Sequence, residues 1–173
     1  MKYCDLIPES NLTPSTISIY VLSSSDSSIN TTPSLPTLSY ASDIILPSSI
    51  KTIGHSVFYD CSGLTFVDFS KAINLETIVA NAFRNCSSLT SINLSKSIKV
   101  ENINNDVFMG CTSLISVILP TTIKNIGDNA FKGCSDLSSI NLSELTNLEN
   151  IGNSTFEGCT SFTYIILPSS IKQ

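Results

Sequence analysis

Residues 45–61 read I-L-P-S-S-I-K-T-I-G-H-S-V-F-Y-D-C, and residues 118–134 read I-L-P-T-T-I-K-N-I-G-D-N-A-F-K-G-C. Both end on Phe-x-x-Cys. This pair recurs as Phe58/Cys61, Phe83/Cys86, Phe108/Cys111, Phe131/Cys134 and Phe156/Cys159, with successive spacings of 25, 25, 23 and 25 residues. A fixed period in the twenties marks a solenoid, whose coils cannot bury their apolar faces alone and must stack on their neighbours. Aligning on Phe brings further apolar columns into register. One is Ile53, Ile78, Ile103, Ile126 and Ile151; another is Leu64, Leu89, Leu114, Leu137 and Phe162; a third is Val67, Ile92, Val117, Ile140 and Ile165.

The segment L-x-x-I-x-L alternates apolar and polar residues at its end, which predicts a short strand with one buried face. Phe-x-x-Cys has the i, i+3 spacing of one helical face, so each coil is expected to carry one strand and one short helical turn. The chain leaves the strand in two ways. After Pro47 and Pro120 the next Phe comes 11 positions on, and after Ser70, Ser95 and Ser143 it comes 13 positions on. Proline fixes its own φ and donates no ladder hydrogen bond, so it makes the tighter corner. Gly54, Gly127 and Gly152 stand just before the predicted turn, but Val79 and Asn104 hold the same place elsewhere. A strict need for positive φ would exclude Val79, so the glycines read as helpful and not obligatory.

The order Leu-Pro, Ile-Gly, Ala-Phe, Cys in these two stretches resembles the BspA-like subclass of leucine-rich repeats, and the resemblance covers residues 44–173. Units beginning near Lys71, Lys96 and Glu144 depart from it by lacking Pro and carrying two extra residues. The resemblance implies a right-handed, predominantly β solenoid of about five coils with short helical turns opposite the strands. It also implies a cell-surface or secreted role in adhesion to host proteins or other cells, and it carries over no specific residue.

The chain has 173 residues, 42% hydrophobic and 13% charged, which suits one packed, elongated domain with a tail. Residues 1–43 are rich in Ser, Thr and Pro and read as linker-like, except that T-I-S-I-Y-V-L at 16–22 suits a strand capping the first coil. Net charge is −5, and no Lys or Arg cluster exists to neutralise phosphates, so nucleic acid is not an expected partner. No apolar run reaches membrane-spanning length, and Asp5, Pro8 and Glu9 stand where a signal core would be. Six N-x-S/T sequons fit a glycosylated surface protein, but a chain this rich in Ser, Thr and Asn generates several by chance.

Five of the six cysteines share one core column and read as small buried hydrophobes in reduced form. Parallel coils about 4.8 Å apart set neighbouring Cβ atoms too far apart for disulfides within the column. A line of ligands also cannot close round a metal, so no cofactor is expected.

No paired carboxylates, nucleophile with base, or glycine-rich phosphate loop is present, and His55 has no triad-like partner, so the chain does not read as an enzyme. Recognition is then expected at outward strand positions, which packing leaves free. These are Phe66 and Asp68, Ser91 and Asn93, Ser116 and Ile118, Ser139 and Asn141, and Tyr164 and Ile166. Phe66, Ile118, Tyr164 and Ile166 are apolar among Ser and Asn, the pattern of a contact patch for a protein partner. Two other readings stand beside the surface module: an intracellular scaffold in the cytoplasm, and a piece of a longer array. At the C-terminal edge no polar cap is encoded after Phe162, Ile165 and Leu167, so end-to-end self-association or fraying after about Cys159 is expected.

Overall fold

The computed structural model describes residues 43–171 and the short strand Ser28–Ile29. The 16–22 cap expectation lies outside these residues. Two sets of parallel strands run the length of the coil stack. The first contains β2 (Asp43–Ile45), β4 (Phe66–Asp68), β6 (Ser91–Asn93), β8 (Ser116–Ile118), β10 (Ser139–Asn141) and β12 (Tyr164–Ile166). The second contains β1 (Ser28–Ile29), β3 (Thr52–Ile53), β5 (Thr77–Ile78), β7 (Asn102–Ile103), β9 (Asn125–Ile126) and β11 (Asn150–Ile151). In each strand of the first set the central residue of the three points inward, because side chains alternate across a pleat.

The fold is therefore the expected parallel β-solenoid of about five coils, with two differences from the expected coil. The first is the second set of strands, which a two-residue strand with one apolar member is too short to reveal by alternation. Its hydrogen-bonded sheet is interrupted between β5 and β7. There the Asn104 side-chain Nδ2 donates to the Ile78 carbonyl at 2.7 Å. Val79, Gly127 and Gly152 instead donate their backbone N–H to the Ile one coil earlier.

The second difference is that the Phe-x-x-Cys segment is not helical; no described residue lies in a helix. Within each unit the Cys N–H does bond to the Phe carbonyl three residues back, as between Cys111 and Phe108 at 3.2 Å. Positive φ recurs on either side of Phe: at Ser56, Asn81, Asp106, Asn129 and Ser154 two residues before it, and at Asp60, Asn85, Gly110, Gly133 and Gly158 two residues after it. Small polar residues and glycine tolerate this region best. The alternation turns the N–H groups of every second residue toward the following coil. Asp106, Phe108 and Gly110 donate to the carbonyls of Asp128, Ala130 and Lys132 at 3.0, 2.9 and 2.8 Å. A helical segment would keep those groups to itself, and coils would stack by side chains alone.

The two strand exits differ in how the last residue is held. Oδ1 of Asp68, Asn93 and Asn141 accepts the N–H of Ser70, Ser95 and Ser143 at 2.8, 3.1 and 2.9 Å. Ile45, Ile118 and Ile166 stand at the same place before Pro47, Pro120 and Pro168, which have no N–H to offer. The two extra residues of the serine exit make an additional turn and bury Ala72, Ser97 or Leu145 in the core. Buried Ser97 is satisfied by donating Oγ–H to the Ala72 carbonyl at 3.1 Å.

The core is a stack of rings and a column of thiols. Phe58, Phe83, Phe108, Phe131 and Phe156 lie face to face with centroids 5.0, 5.5, 5.5 and 5.8 Å apart. Beside them Cys86, Cys111, Cys134 and Cys159 are free thiols. Each donates its S–H to the carbonyl of the Phe one coil earlier, at 3.1–3.2 Å. Cys61 breaks the expectation of a wholly reduced column, for it is disulfide-bonded. The spacing argument excludes bonds between column neighbours, which indeed remain thiols. Cys61 heads the column, and its partner lies outside the described residues.

The thiol bond changes what Cys111→Ser should do. Phe83 O is the acceptor for either side chain, but the shorter C–O bond stretches the contact. We expect a loss of about 1–2 kcal/mol. Cys111→Val, which has no donor, should cost no less. Urea titration of both variants reads this out, and a serine variant more destabilised than valine would discount the hydrogen bond.

Candidate functional site

The register Asp43↔Phe66, Phe66↔Ser91 and Ser91↔Ser116 aligns the outward positions of β2 to β8, and Ser139↔Tyr164 aligns those of β10 and β12; β8 and β10 lie side by side without a strand ladder between them, and together the two sheets set the outward positions in columns. One column runs Phe66, Ser91, Ser116, Ser139, Tyr164; the other runs Asp68, Asn93, Ile118, Asn141, Ile166. All ten predicted residues thus lie on one face. Phe66, Asn93, Ser116, Ile118, Asn141, Tyr164 and Ile166 are exposed, whereas Asp68, Ser91 and Ser139 are half-buried.

Their roles divide. The carboxylate or amide oxygens of Asp68, Asn93 and Asn141 are committed to the exit turns, so these residues shape the strand ends first. Phe66 and Tyr164, 43% and 57% exposed, stand at opposite ends of the serine row, and no turn accounts for them. Ile118 and Ile166 replace an Asx that a proline exit cannot use. Polarity there is optional, and the chain carries isoleucine. A groove of about 400 Å³ lies between Phe66 and Ile118 over Ser91, Asn93 and Ser116, with Lys96 at its margin.

Sequence reasoning missed Ile115 and Lys96. Ile115 is exposed one residue before the strand, where Thr90 and Thr163 donate their hydroxyls to Thr65 O and Ser138 O of the preceding coil. The signal was available as an apolar residue in a Thr/Ser column, but that column lies outside the strict alternation.

On other faces several polar groups are tied to one another. On the second strand set Asn125 Nδ2 donates to Asn102 Oδ1 at 2.7 Å, and Asn150 Nδ2 to Asn125 Oδ1 at 2.8 Å. Lys124 and Glu101 pair beside them at 2.9 Å. Along the turn face Lys132 pairs with Glu157 at 2.9 Å, and Arg84 sits 6.0 Å over the Tyr59 ring. A hydrogen bond from Ser154, then the Lys132 ammonium, holds the Glu157 carboxyl below its usual range.

Burial pushes the thiols of Cys111, Cys134 and Cys159 up, away from nucleophilic thiolate. Ser56 Oγ lies 2.9 Å from His55 Nδ1, on the adjacent residue, which is not the geometry of an activated nucleophile. Among the described residues no group of His, Cys, Asp or Glu is arranged to hold a metal ion, and no helix is long and apolar enough to cross a membrane.

Stacked parallel coils with a phenylalanine spine and a short-strand face define the leucine-rich-repeat class of solenoid. The profile of the BspA type leucine rich repeat region matches in six copies over residues 37–144 and 76–173, and the chain belongs to that family. Among solved structures it is similar to a leucine-rich repeat protein from Bacteroides ovatus, at 30% identity and TM-score 0.68, over 75% of this chain and 34% of that one. A leucine rich cell surface protein from Faecalibacterium prausnitzii matches at 23% identity and TM-score 0.47, over 71% and 38% of the two chains. The chain therefore spans about a third of the length of each. No curated protein sequence matches it. The family is one of repeat modules for protein interaction, generally without catalytic activity.

Proposed function

We propose that this chain is a non-catalytic adhesion module that binds a protein partner through the face of the first strand set, at a cell surface or outside the cell. The observation that carries this reading is the placement of Phe66, Ile118, Tyr164 and Ile166, all exposed, on the outward face of the first strand set. Large apolar side chains ringed by small polar ones are the usual anchors of an interface. The disulfide at Cys61 supports an oxidising compartment, and so favours the surface reading over an intracellular scaffold.

The test is a quadruple substitution to Ser at those four positions, assayed by surface plasmon resonance against a panel of extracellular-matrix and cell-surface proteins. Each exposed substitution should change stability by no more than about 0.5 kcal/mol, while binding to any partner of the native chain falls at least about tenfold. Asn125→Ser, on the opposite strand set, should leave binding unchanged. Equal loss in both variants, or full binding by the quadruple variant, would remove the first face from the reading.

A further inference from the structure

The serine exits carry a surface that the strand face does not include. Each buries one residue, Ala72, Ser97 or Leu145, and the residue after it points outward. That outward residue is Ile73, 51% exposed, at the first exit, Ile98, 61% exposed, at the second, and an exposed Thr146 at the third. Threonine at the same place means that packing does not demand isoleucine there. Two bonds hold the first two exits in register: Ser97 Oγ–H to the Ala72 carbonyl at 3.1 Å, and Lys99 Nζ to Asn74 Oδ1 at 3.0 Å. Ile73 and Ile98 therefore lie side by side as one apolar step. Lys71 and Lys96 occupy matching positions in the same two turns, and both are exposed. Among the described residues no carboxylate pairs with Lys71, Lys96 or Lys99, whereas Lys124 and Lys132 are paired with Glu101 and Glu157.

We infer that this exit edge, formed by Lys71, Ile73, Lys96, Ile98 and Lys99, docks an acidic segment of a protein partner, whose aliphatic side chains cover the two isoleucines and whose carboxylates meet the three ammonium groups. Charge complementarity is the argument. Residues 43–100 hold five Lys and Arg against four Asp and Glu, whereas residues 101–171 hold two against seven. An acidic partner is thus repelled by the later coils and steered to the earlier ones, where this edge lies. Asp68, the carboxylate that lines the adjoining groove with Lys96, already accepts the Ser70 N–H. A phosphate backbone suits the edge less well, because its affinity grows with the number of phosphates neutralised, and three lysines interrupted by two isoleucines offer few. An acidic and aliphatic segment uses both halves of the surface: the isoleucines are desolvated at the centre, and each lysine keeps its charged end at the rim.

This inference does not rest on the strand-face reading, and its test keeps the two apart. The probe is a fluorescein-labelled synthetic peptide of alternating Glu and Leu, titrated with the full chain by fluorescence anisotropy. It should bind with an affinity that falls as salt rises, and a Glu-Ser peptide of the same charge should bind at least about tenfold more weakly. The triple variant Lys71→Gln/Lys96→Gln/Lys99→Gln and the double variant Ile73→Ser/Ile98→Ser should each lower affinity at least about tenfold with Tm nearly unchanged, since exposed substitutions barely move stability. The salt dependence should also flatten in the lysine variant, which keeps the test decisive if the isoleucine variant melts early. The strand-face quadruple variant should bind the peptide like the native chain, so failure of that face and failure of this edge are read separately. The inference is overturned by a peptide that does not bind, by equal binding of the Glu-Ser peptide, by native affinity in the lysine variant, or by tighter edge-dependent binding of a single-stranded oligonucleotide or of phosphatidylserine vesicles.

Discussion

Phe108→Ala should be the most damaging single truncation in the solenoid, costing about 3–5 kcal/mol. Phe108 is fully buried, with the Phe83 and Phe131 rings stacked on either side, both at 5.5 Å. Removing it opens a ring-sized void that neither neighbour can fill, because their own backbones are fixed by the N–H···O bonds that tie Phe83 to Val107 and Phe131 to Thr155. In a stack where each coil contacts only its neighbours, a weak central coil also breaks the coupling between the two halves. Urea unfolding should therefore shift to lower midpoint and broaden or split. Phe156→Ala, at a partly buried position, should cost clearly less. Equal effects at the two positions, or a loss below about 1 kcal/mol at Phe108, would mean that the ring stack is not what couples the coils.

How far the sequence foretold this structure depended on the kind of interaction. Core columns were legible because burial imposes one residue class at one spacing, and Phe, Cys, Ile and Leu keep to it in every unit. The outward face was legible from the same alternation, since a residue beside an inward-pointing one in a strand must point out. Backbone conformation was not. Phe-x-x-Cys has helical spacing, but the residues two before and two after Phe are Ser, Asp, Asn and Gly, the types that accept positive φ, and that clue outweighs the spacing. The division of the candidate face was legible only as a correlation between exit type and loop length. Its cause, an Asx oxygen that needs an N–H two residues on, explains why Asp68, Asn93 and Asn141 vary in step with Ser70, Ser95 and Ser143. Part of what looks like recognition variety on this face is thus turn chemistry.

The glycine column shows the same limit, and it yields the sharpest test of coil stacking. Gly127 and Gly152 are not at positive φ, so conformational freedom is not their reason. A Cβ at Gly127 would lie 2.7 Å from Asn105 N and against the Asn105 Oδ1, and one at Gly152 would lie 2.6 Å from Gly127 C and 2.7 Å from Asp128 Oδ1. In both places the preceding coil supplies an Asx whose Oδ1 accepts the next coil's N–H: Asp128 N–H to Asn105 at 3.0 Å, and Asn153 N–H to Asp128 at 2.6 Å. That bond draws the backbones together until only glycine fits. Val79 and Asn104 follow coils with His55 and Ala80 at that position, which form no such ladder, and there side chains are tolerated. Gly127→Ala should accordingly cost about 3 kcal/mol by overpacking, because the contact is backbone that cannot swing aside. Gly63→Ala, where nothing lies within 4 Å, should be nearly neutral. In an Asn105→Ala background the coils are free to relax to the spacing found at Val79. The cost of Gly127→Ala should then fall, giving a coupling of about 1 kcal/mol or more in a double-mutant cycle. Additive effects in that cycle would show that close approach at this corner is imposed by the ladders alone and not by the Asx bond.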